Sequence, residues 1–329
     1  MPINVVINGF GRIGRTLMRL IAQQPDQFRV VHINDIAPLA NCAYLFKYDS
    51  IFGPFPGTVS HDNSHLYVNA QAIPFSQVHD ISLLDLTAAD IVFECTGHIK
   101  TREEAERGLK AGAQKVLISG PSDVADVTIV LGANEADLDT QKIVSNASCT
   151  TNALGPLLKV LDDAFGLISG HMTTVHCYTG SQPTIDAPRG DLARSRAAAL
   201  SMVPTTTSAG KLIGVVMPHL ANRIEVRAIR VPTASVSAID LTVQTQEPVD
   251  TDKANLALQN AAQDSHLIGW ETDPLVSTDL RGRAESVILC PTETSVSLGG
   301  TLRVFGWYDN EWGFSNRMLD MAKRLITSQ

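Results

Sequence analysis

The stretch that most constrains this chain is Gly9-Phe10-Gly11-Arg12-Ile13-Gly14, because of what stands on either side of it. It directly follows the apolar, β-branched run Ile3 to Ile7, and it opens a stretch from Arg12 to Ala22 whose apolar residues recur at helical spacing. Three glycines between a buried strand and a helix let the turn tighten and let backbone approach a pyrophosphate, which the first amides of the helix can then hold. Asp35, which follows the next strand-like run, Phe28 to Ile33, is placed to accept hydrogen bonds from an adenosine ribose; its charge would repel a 2′-phosphate, so NAD is expected over NADP. A glycine turn in some other α/β protein, with Asp35 a solvated strand end, explains less of this order. Gly9, Gly11, Arg12, Ile13, Gly14 and Asp35 are therefore candidate cofactor residues.

Through about residue 148 the same alternation continues. Ile91 to Glu94, Lys115 to Ser119 and Thr128 to Leu131 read as strands, and Arg102 to Ala111 as a crossover helix. Repeated βαβ units imply a doubly wound parallel sheet, a Rossmann domain, with ligand at the carboxyl ends of the strands. Thr96, Gly97, Ser119 and Pro121 follow such strands and join the candidates, although each alone reads as a turn residue. After Thr150 the pattern changes. A helix from about Thr151 to Phe165 leads into strand runs at His171 to Cys177, Ile224 to Val231 and Ser235 to Gln244, for which mixed or antiparallel pairing is expected. Tyr178 to Val203 is long and weakly periodic, as functional loops often are. Asn316 to Thr327 reads as an amphipathic helix. The expected architecture is α/β: a Rossmann domain over 1–148 and an α+β catalytic domain over 149–312.

Cys149 falls at or just before the first turn of the helix that follows Ser148. There the helix dipole and free amides favour thiolate over thiol and could hold an oxyanion. In isolation a cysteine at such a place is more often a small buried hydrophobe beside Ser/Thr caps. His176 ends a strand where a loop begins, but periodicity does not bring it to Cys149, so the two remain a candidate pair. The five cysteines form an odd set without metal-ligand spacing, so neither a disulfide framework nor a metal site is expected. With no secretory signal in the opening residues, the expectation is the reducing cytoplasm. A net charge of −8 and the lack of a clustered basic surface argue against nucleic acid as a partner, and no run is long enough to span a membrane.

Six blocks taken together, GFGRIGR, ECTG, SNASCTTN, TVHCYTGSQPTIDAP, RVPT and WYDNEWGFSNR, resemble the phosphorylating glyceraldehyde-3-phosphate dehydrogenase family across essentially the whole chain. The resemblance implies an NAD-dependent enzyme of glycolysis that forms a thioester, with Cys149 as nucleophile and His176 as general base. It implies that Asn310 binds the nicotinamide carboxamide, that Thr179 and Arg230 hold the substrate phosphate, and that Ser148, Thr150 and Thr207 surround the attacking inorganic phosphate. It further implies a homotetramer in which the carboxyl-terminal helix, 313–329, returns to the first domain and a long loop reaches a neighbouring subunit's cofactor. Several positions depart from the family pattern, and Gly180, Ser181 and Pro183 give the loop after Thr179 an unusual composition. Ala193 stands where an arginine is usual, which leaves Arg194 or Arg196 to compensate, and Arg196 is taken here as the phosphate ligand; Ser208 stands where glycine is usual after Thr207. Erythrose-4-phosphate dehydrogenase shares several of the blocks and is one alternative. A catalytically weakened NAD-binding sensor or interaction protein is the other.

Overall fold

A computed structural model describes residues 1–327; Ser328 and Gln329, the end of the expected carboxyl-terminal helix, lie outside the described residues. The chain divides into two compact units: Met1–Ile129 with Ala136–Ala147 and the residues from Ser315 onward, and Val130–Glu135 with Ser148–Phe314.

The first unit is built on a nine-stranded sheet. In chain order its elements are β1 (Ile3–Asn8), α1 (Arg12–Ile21), β2 (Phe28–Asn34), α2 (Leu39–Lys47), β3 (Val59–His61), β4 (His65–Val68), β5 (Gln71–Ser76), β6 (Ile91–Glu94), α3 (Arg102–Ala105), α4 (Arg107–Lys110), β7 (Lys115–Ile118), β8 (Val127–Thr128) and β9 (Ile143–Ser145). The spatial order is β3-β4-β5-β2-β1-β6-β7-β9-β8. All pairings from β5 to β8 are parallel, while β3 and β4 form an antiparallel meander at one edge. Parallel strands covered on both faces need apolar side chains on both, and β6 and β7 are buried along their whole length. Strand order reverses between β1 and β6, which opens a crevice at their carboxyl ends.

In the second unit α5 (Cys149–Phe165) leads into β10 (Leu167–Cys177), followed by β11 (Val203–Thr205), α6 (Ala209–Val216), β12 (Ile224–Val231), β13 (Ser237–Thr245), α7 (Thr251–Asp264), β14 (Ile268–Trp270), β15 (Val287–Leu289), β16 (Ser295–Val296) and β17 (Leu302–Tyr308). The sheet runs β11-β12-β10-β13-β17-β15-β14, with β16 on β17. It is mixed: β10 pairs parallel with β12 and antiparallel with β13, so the α/β class with a mixed second sheet is the observed one. The final helix, α8, spans Trp312–Thr327.

Three local expectations need correction. The strand expected over Thr128 to Leu131 is only Val127–Thr128, because from Val130 the chain leaves the sheet and Val130 N–H turns back to Asn134 Oδ1 at 2.8 Å. The crossover helix is broken at Glu106 into two four-residue pieces. The strand ending at Cys177 begins at Leu167, four residues before the apolar alternation becomes visible.

The glycine turn shows why its residues are glycine. Gly9 has φ +94°, and a Cβ on Gly14 would stand 2.1 Å from the carbonyl oxygen of Gly9, a backbone atom that cannot yield. A Cβ on Gly11 would meet nothing within 4 Å. Gly14→Ala is therefore expected to lower stability by about 1–3 kcal/mol. Gly11→Ala should stay within about 0.5 kcal/mol of the parent. The midpoints of urea unfolding curves check both, and equal midpoints for the two variants would contradict the geometry.

Candidate active site

In the first unit, the carboxyl ends of β1, β2 and β6 enclose a cavity of about 500 Å³ lined by Gly9, Gly11, Asp35, Asn8, Asn34 and Thr96 among others. Asp35 accepts hydrogen bonds from Phe10 N–H at 2.6 Å and Ala37 N–H at 2.8 Å, so its carboxylate is fixed at the rim by the glycine turn itself. Sequence reading missed the polar floor. Asn34 Nδ2 donates to Asn8 Oδ1 (2.8 Å), Asn8 Nδ2 donates to Glu94 Oε2 (2.5 Å), and Glu94 Oε1 accepts from Thr96 N–H (2.9 Å) and its hydroxyl. Burial pushes the Glu94 carboxyl up, against the pull of the Thr96 and Asn8 hydrogen bonds. A polar residue at the carboxyl end of each of three buried strands was the available signal.

Other candidates lie elsewhere. Arg12 is not among the residues lining this cavity; its guanidinium pairs with Asp49 and lies over the Phe52 ring. Ile13, Gly14, Gly97 and Ser119 do not line it either. Gly14 acts through its close approach to Gly9, and Ser119 N–H donates to Glu94 O, tying β7 to β6.

The nucleophile candidate sits in the second unit. Ser148 caps α5, its hydroxyl accepting from Thr151 N–H at 3.1 Å, which places Cys149 at the first helical position. The residue before the cap, Ala147, is held at φ +55°, a conformation that costs a non-glycine residue energy and sets the abrupt entry into the helix. Cys149 Sγ lies 3.7 Å from His176 Nε2. Burial pushes the Cys149 thiol up, while the Thr150 hydrogen bond, the charge of Arg230 and the helix-start amides pull it down.

His176 is buried at the end of β10, paired in register with Arg230 of β12. Its Nδ1 is 2.7 Å from Cys177 O and 2.6 Å from Arg230 Nη1, which also donates to Cys177 O at 2.9 Å. Burial and then the Arg230 charge push its pKa down to about 4. Tyr308, which sequence reading passed over, stands edge-on to the imidazole at 6.0 Å and ties Thr150 to Thr174 through its hydroxyl, at 2.9 and 2.8 Å. Asn310 is buried, and its Oδ1 accepts from Cys177 Sγ at 3.1 Å; burial pushes that second thiol up to about 12.

The anion-binding candidates separate into two groups. Arg196, the expected phosphate ligand, is exposed and paired with Asp186 at 2.8 Å. Arg194 instead reaches the threonine segment, donating to Thr205 Oγ1 (2.6 Å) and Thr206 O (2.8 Å), beside Thr207. Two residues apart in a loop with one short 3₁₀ turn, the two side chains point to different partners, which spacing alone does not reveal. Ser208 has φ −69°, an ordinary right-handed conformation, so this backbone makes no demand for glycine. The Thr179 hydroxyl pairs with that of Ser181 at 2.9 Å, while Ser148 and Thr150 are engaged with Thr151 and Tyr308. No cluster that could hold a metal ion occurs among the described residues.

This geometry coincides with a match along the sequence. The model of the glyceraldehyde 3-phosphate dehydrogenase NAD binding domain matches residues 3–102, and that of the C-terminal domain matches residues 148–310. The chain belongs to the glyceraldehyde-3-phosphate dehydrogenase family. It is 44% identical over 326 residues to the glyceraldehyde-3-phosphate dehydrogenase of Cereibacter sphaeroides, covering 98% of each chain. The enzyme of that name from Pseudomonas aeruginosa is 44% identical over 334 residues, covering both chains fully. Glyceraldehyde-3-phosphate dehydrogenase 1 of Bacillus subtilis is 42% identical over 328 residues, with 98% of each covered.

A pH prediction follows from His176. Its folded pKa lies below the usual 6.5, so the unfolded chain takes up this proton first as pH falls. Stability from this group is full above pH 6.5, declines as pH drops towards 4, and levels below that, a loss of about 3 kcal/mol. His176→Asn removes this titration. In chemical denaturation at a series of pH values, its stability should fall less steeply than the parent's between pH 6.5 and 4; parallel profiles would count against a depressed pKa.

Proposed function

We propose that this chain oxidises glyceraldehyde 3-phosphate with NAD and inorganic phosphate to 1,3-bisphosphoglycerate and NADH. The observation that carries the reading is the Cys149 sulfur at the start of a seventeen-residue helix, 3.7 Å from a buried imidazole whose strand is paired in register with an arginine. The cavity with Asp35 at its rim and an open Gly11 backbone suits the adenosine and pyrophosphate of NAD.

Cys149 attacks the aldehyde carbon while His176 Nε2 takes the thiol proton and passes it to the carbonyl oxygen, whose developing charge the amides at the start of α5 hold, so that a hemithioacetal forms. The hemithioacetal hydroxyl then gives its proton to His176 Nε2 as the C–H bonding pair departs as hydride. NAD, when bound, supplies the acceptor for that hydride. Asn310 would hold the nicotinamide carboxamide through its amide donor, since Cys177 occupies its oxygen. The thioester left on Cys149 is opened by inorganic phosphate, which expels the thiolate and carries away the acyl group. Thr179 and Arg230 hold the phosphate of the substrate. Arg194, with Thr207, serves the attacking phosphate in place of Arg196.

Erythrose 4-phosphate as the preferred aldehyde is disfavoured by the names of the relatives above. The reading as a weakened sensor loses its ground as well: Arg194 reaches the threonine segment despite Ala193, and Ser208 adopts an unstrained conformation. The chain works in the cytoplasm, consistent with five unpaired cysteines among the described residues. It assembles as a homotetramer, which would cover Ile185, Leu192, Leu200 and Met202, apolar side chains at least 73% exposed in the loop after β10. No helix among the described residues is long and apolar enough to cross a membrane.

Steady-state assays with each sugar phosphate, with and without inorganic phosphate, test the reaction. Glyceraldehyde 3-phosphate should have the higher kcat/KM and multiple turnovers should require phosphate; preference for erythrose 4-phosphate or indifference to phosphate would sink the proposal. Arg194→Ala should raise KM for inorganic phosphate roughly ten- to hundredfold, the worth of one charge-assisted contact. Arg196→Ala should leave it within about twofold, as expected for an exposed ion pair. The reverse ranking would return the role to Arg196. Sedimentation velocity checks the assembly, with a mass of four chains expected.

A further inference from the structure

Two residues that take no part in the chemistry above set how the Asn310 side chain stands. Its backbone is fixed from next door: Asp309 is buried at the end of β17, and its carboxylate accepts from Gly282 N–H at 2.9 Å, Glu311 N–H at 3.0 Å and Trp312 N–H at 2.8 Å. The side chain is a separate matter, because the last torsion of an asparagine is broad and roughly two-fold and exchanges the amide oxygen and nitrogen at little cost. A neighbour that donates well and accepts poorly selects one end over the other.

Such neighbours stand at one end of this amide. Asn310 Oδ1 accepts from Cys177 Sγ at 3.1 Å and lies 3.5 Å from Ser237 Oγ. The Ser237 oxygen already accepts from Cys177 N–H at 3.2 Å, so the serine hydrogen is free to point at Oδ1. Burial pushes the Cys177 thiol up to about 12, so the sulfur keeps the hydrogen it donates. Sulfur is a weak acceptor, and an Nδ2 turned to this place would find a poor partner. Nor can the thiol drift away: Cys177 is wholly buried, with its N–H bound to Ser237 and its carbonyl accepting from Arg230 Nη1 at 2.9 Å. The three residues come from neighbouring strands, β10, β13 and the end of β17.

We infer that Cys177, with Ser237, is a positioning residue for the cofactor: the thiol keys the Asn310 amide so that Nδ2 is the end left to donate to the nicotinamide carbonyl. This rests on the reading that Asn310 holds the carboxamide. A carbonyl can only accept, so an Asn310 presented by its oxygen would set lone pair against lone pair. Holding the amide in one sense before the cofactor arrives spares that ordering on binding. A carboxamide caught in one orientation also limits the rotation of the ring that takes the hydride. Cys177 itself touches neither substrate nor cofactor in this scheme and acts through Asn310 alone.

Calorimetric titrations of the full-length protein compare NAD with ADP-ribose, which carries the adenosine, pyrophosphate and second ribose but no nicotinamide. Cys177→Ala should weaken NAD binding about three- to tenfold, the worth of one neutral hydrogen bond, and leave ADP-ribose within about twofold of the parent. Cys177→Ser, whose hydroxyl can donate in place of the thiol, should keep NAD affinity within about twofold. Asn310→Ala should weaken NAD at least as much as Cys177→Ala does. Adding Cys177→Ala to Asn310→Ala should then cost less than about twofold more, because a residue that acts through another has nothing further to lose. In steady state Cys177→Ala should raise KM for NAD and leave KM for glyceraldehyde 3-phosphate unchanged. If Cys177→Ala and Cys177→Ser bind NAD alike, if ADP-ribose weakens along with NAD, or if the two losses multiply in the double variant, the inference fails and the reading of Asn310 stands. If Asn310→Ala binds NAD as tightly as the parent, that reading fails and takes the inference with it. Should Cys177→Ala not fold, Cys177→Val, similar in shape but with no hydrogen to donate, takes its place with the same expected loss.

Discussion

The chemistry of this protein depends on an imidazole held between a thiol and a guanidinium. His176 is buried one residue before the end of β10, with sulfur 3.7 Å from one nitrogen and arginine 2.6 Å from the other. Neither contact comes from local sequence. The first requires α5 to begin at Cys149, which the Ser148 cap and the left-handed backbone of Ala147 enforce. The second requires parallel pairing of β10 with β12 in a register that sets His176 against Arg230. In a parallel pair a slip of one residue would turn the arginine to the other face of the sheet and remove it from the ring altogether. Burial then makes the arrangement chemically useful: a neutral imidazole is kept neutral down to a pH of about 4, so it remains able to accept a proton when the substrate arrives.

The first unit solves a different problem, that of holding a polar ligand above a sheet with no polar interior. Its answer is a chain of side chains, buried Asn34, Asn8 and Glu94 leading to half-buried Thr96, strung across the ends of three parallel strands. Each donor meets an acceptor within the chain, as buried polar groups must. Ser76 and Val78 complete it at the Asn34 end, with Ser76 Oγ donating to Asn34 Oδ1 at 2.7 Å and Asn34 Nδ2 donating to Val78 O at 3.0 Å. The cavity floor is thereby tied together, and the glycine turn is joined to its rim by the hydrogen bond from Phe10 N–H to Asp35.

How much of this was legible beforehand varied with the kind of signal. The long β1-turn-α1 unit stood out because three glycines separate two patterns of different period. Short strands did not: β14, β15 and β16 have two or three residues each, too few for an alternation to register, and exist because β17 offers an edge on which β15 and β16 pair. The β3–β5 meander was missed for a related reason, its residues being partly exposed and mixed in character. Tyr308 was visible as part of the block WYDNEWGFSNR but not as the hydroxyl that joins Thr150 to Thr174. Arg194 and Arg196 show the limit most clearly, since two arginines in one irregular loop are equivalent on paper and opposite in space.

What the sequence determined by itself is the set of local devices: a turn that requires glycine at Gly9 and Gly14, a helix start at a cysteine, apolar runs that commit strands to burial, and blocks that identify the family. These are encoded by neighbours a few residues apart, where sterics and capping act. Tertiary structure alone decided which charged and polar groups share a site: His176 with Arg230, Tyr308 with Thr150, Arg194 rather than Arg196 with the threonines. Such pairings depend on strand register and loop path. They join residues from 11 to 158 positions apart, across distances that no periodicity in the chain records.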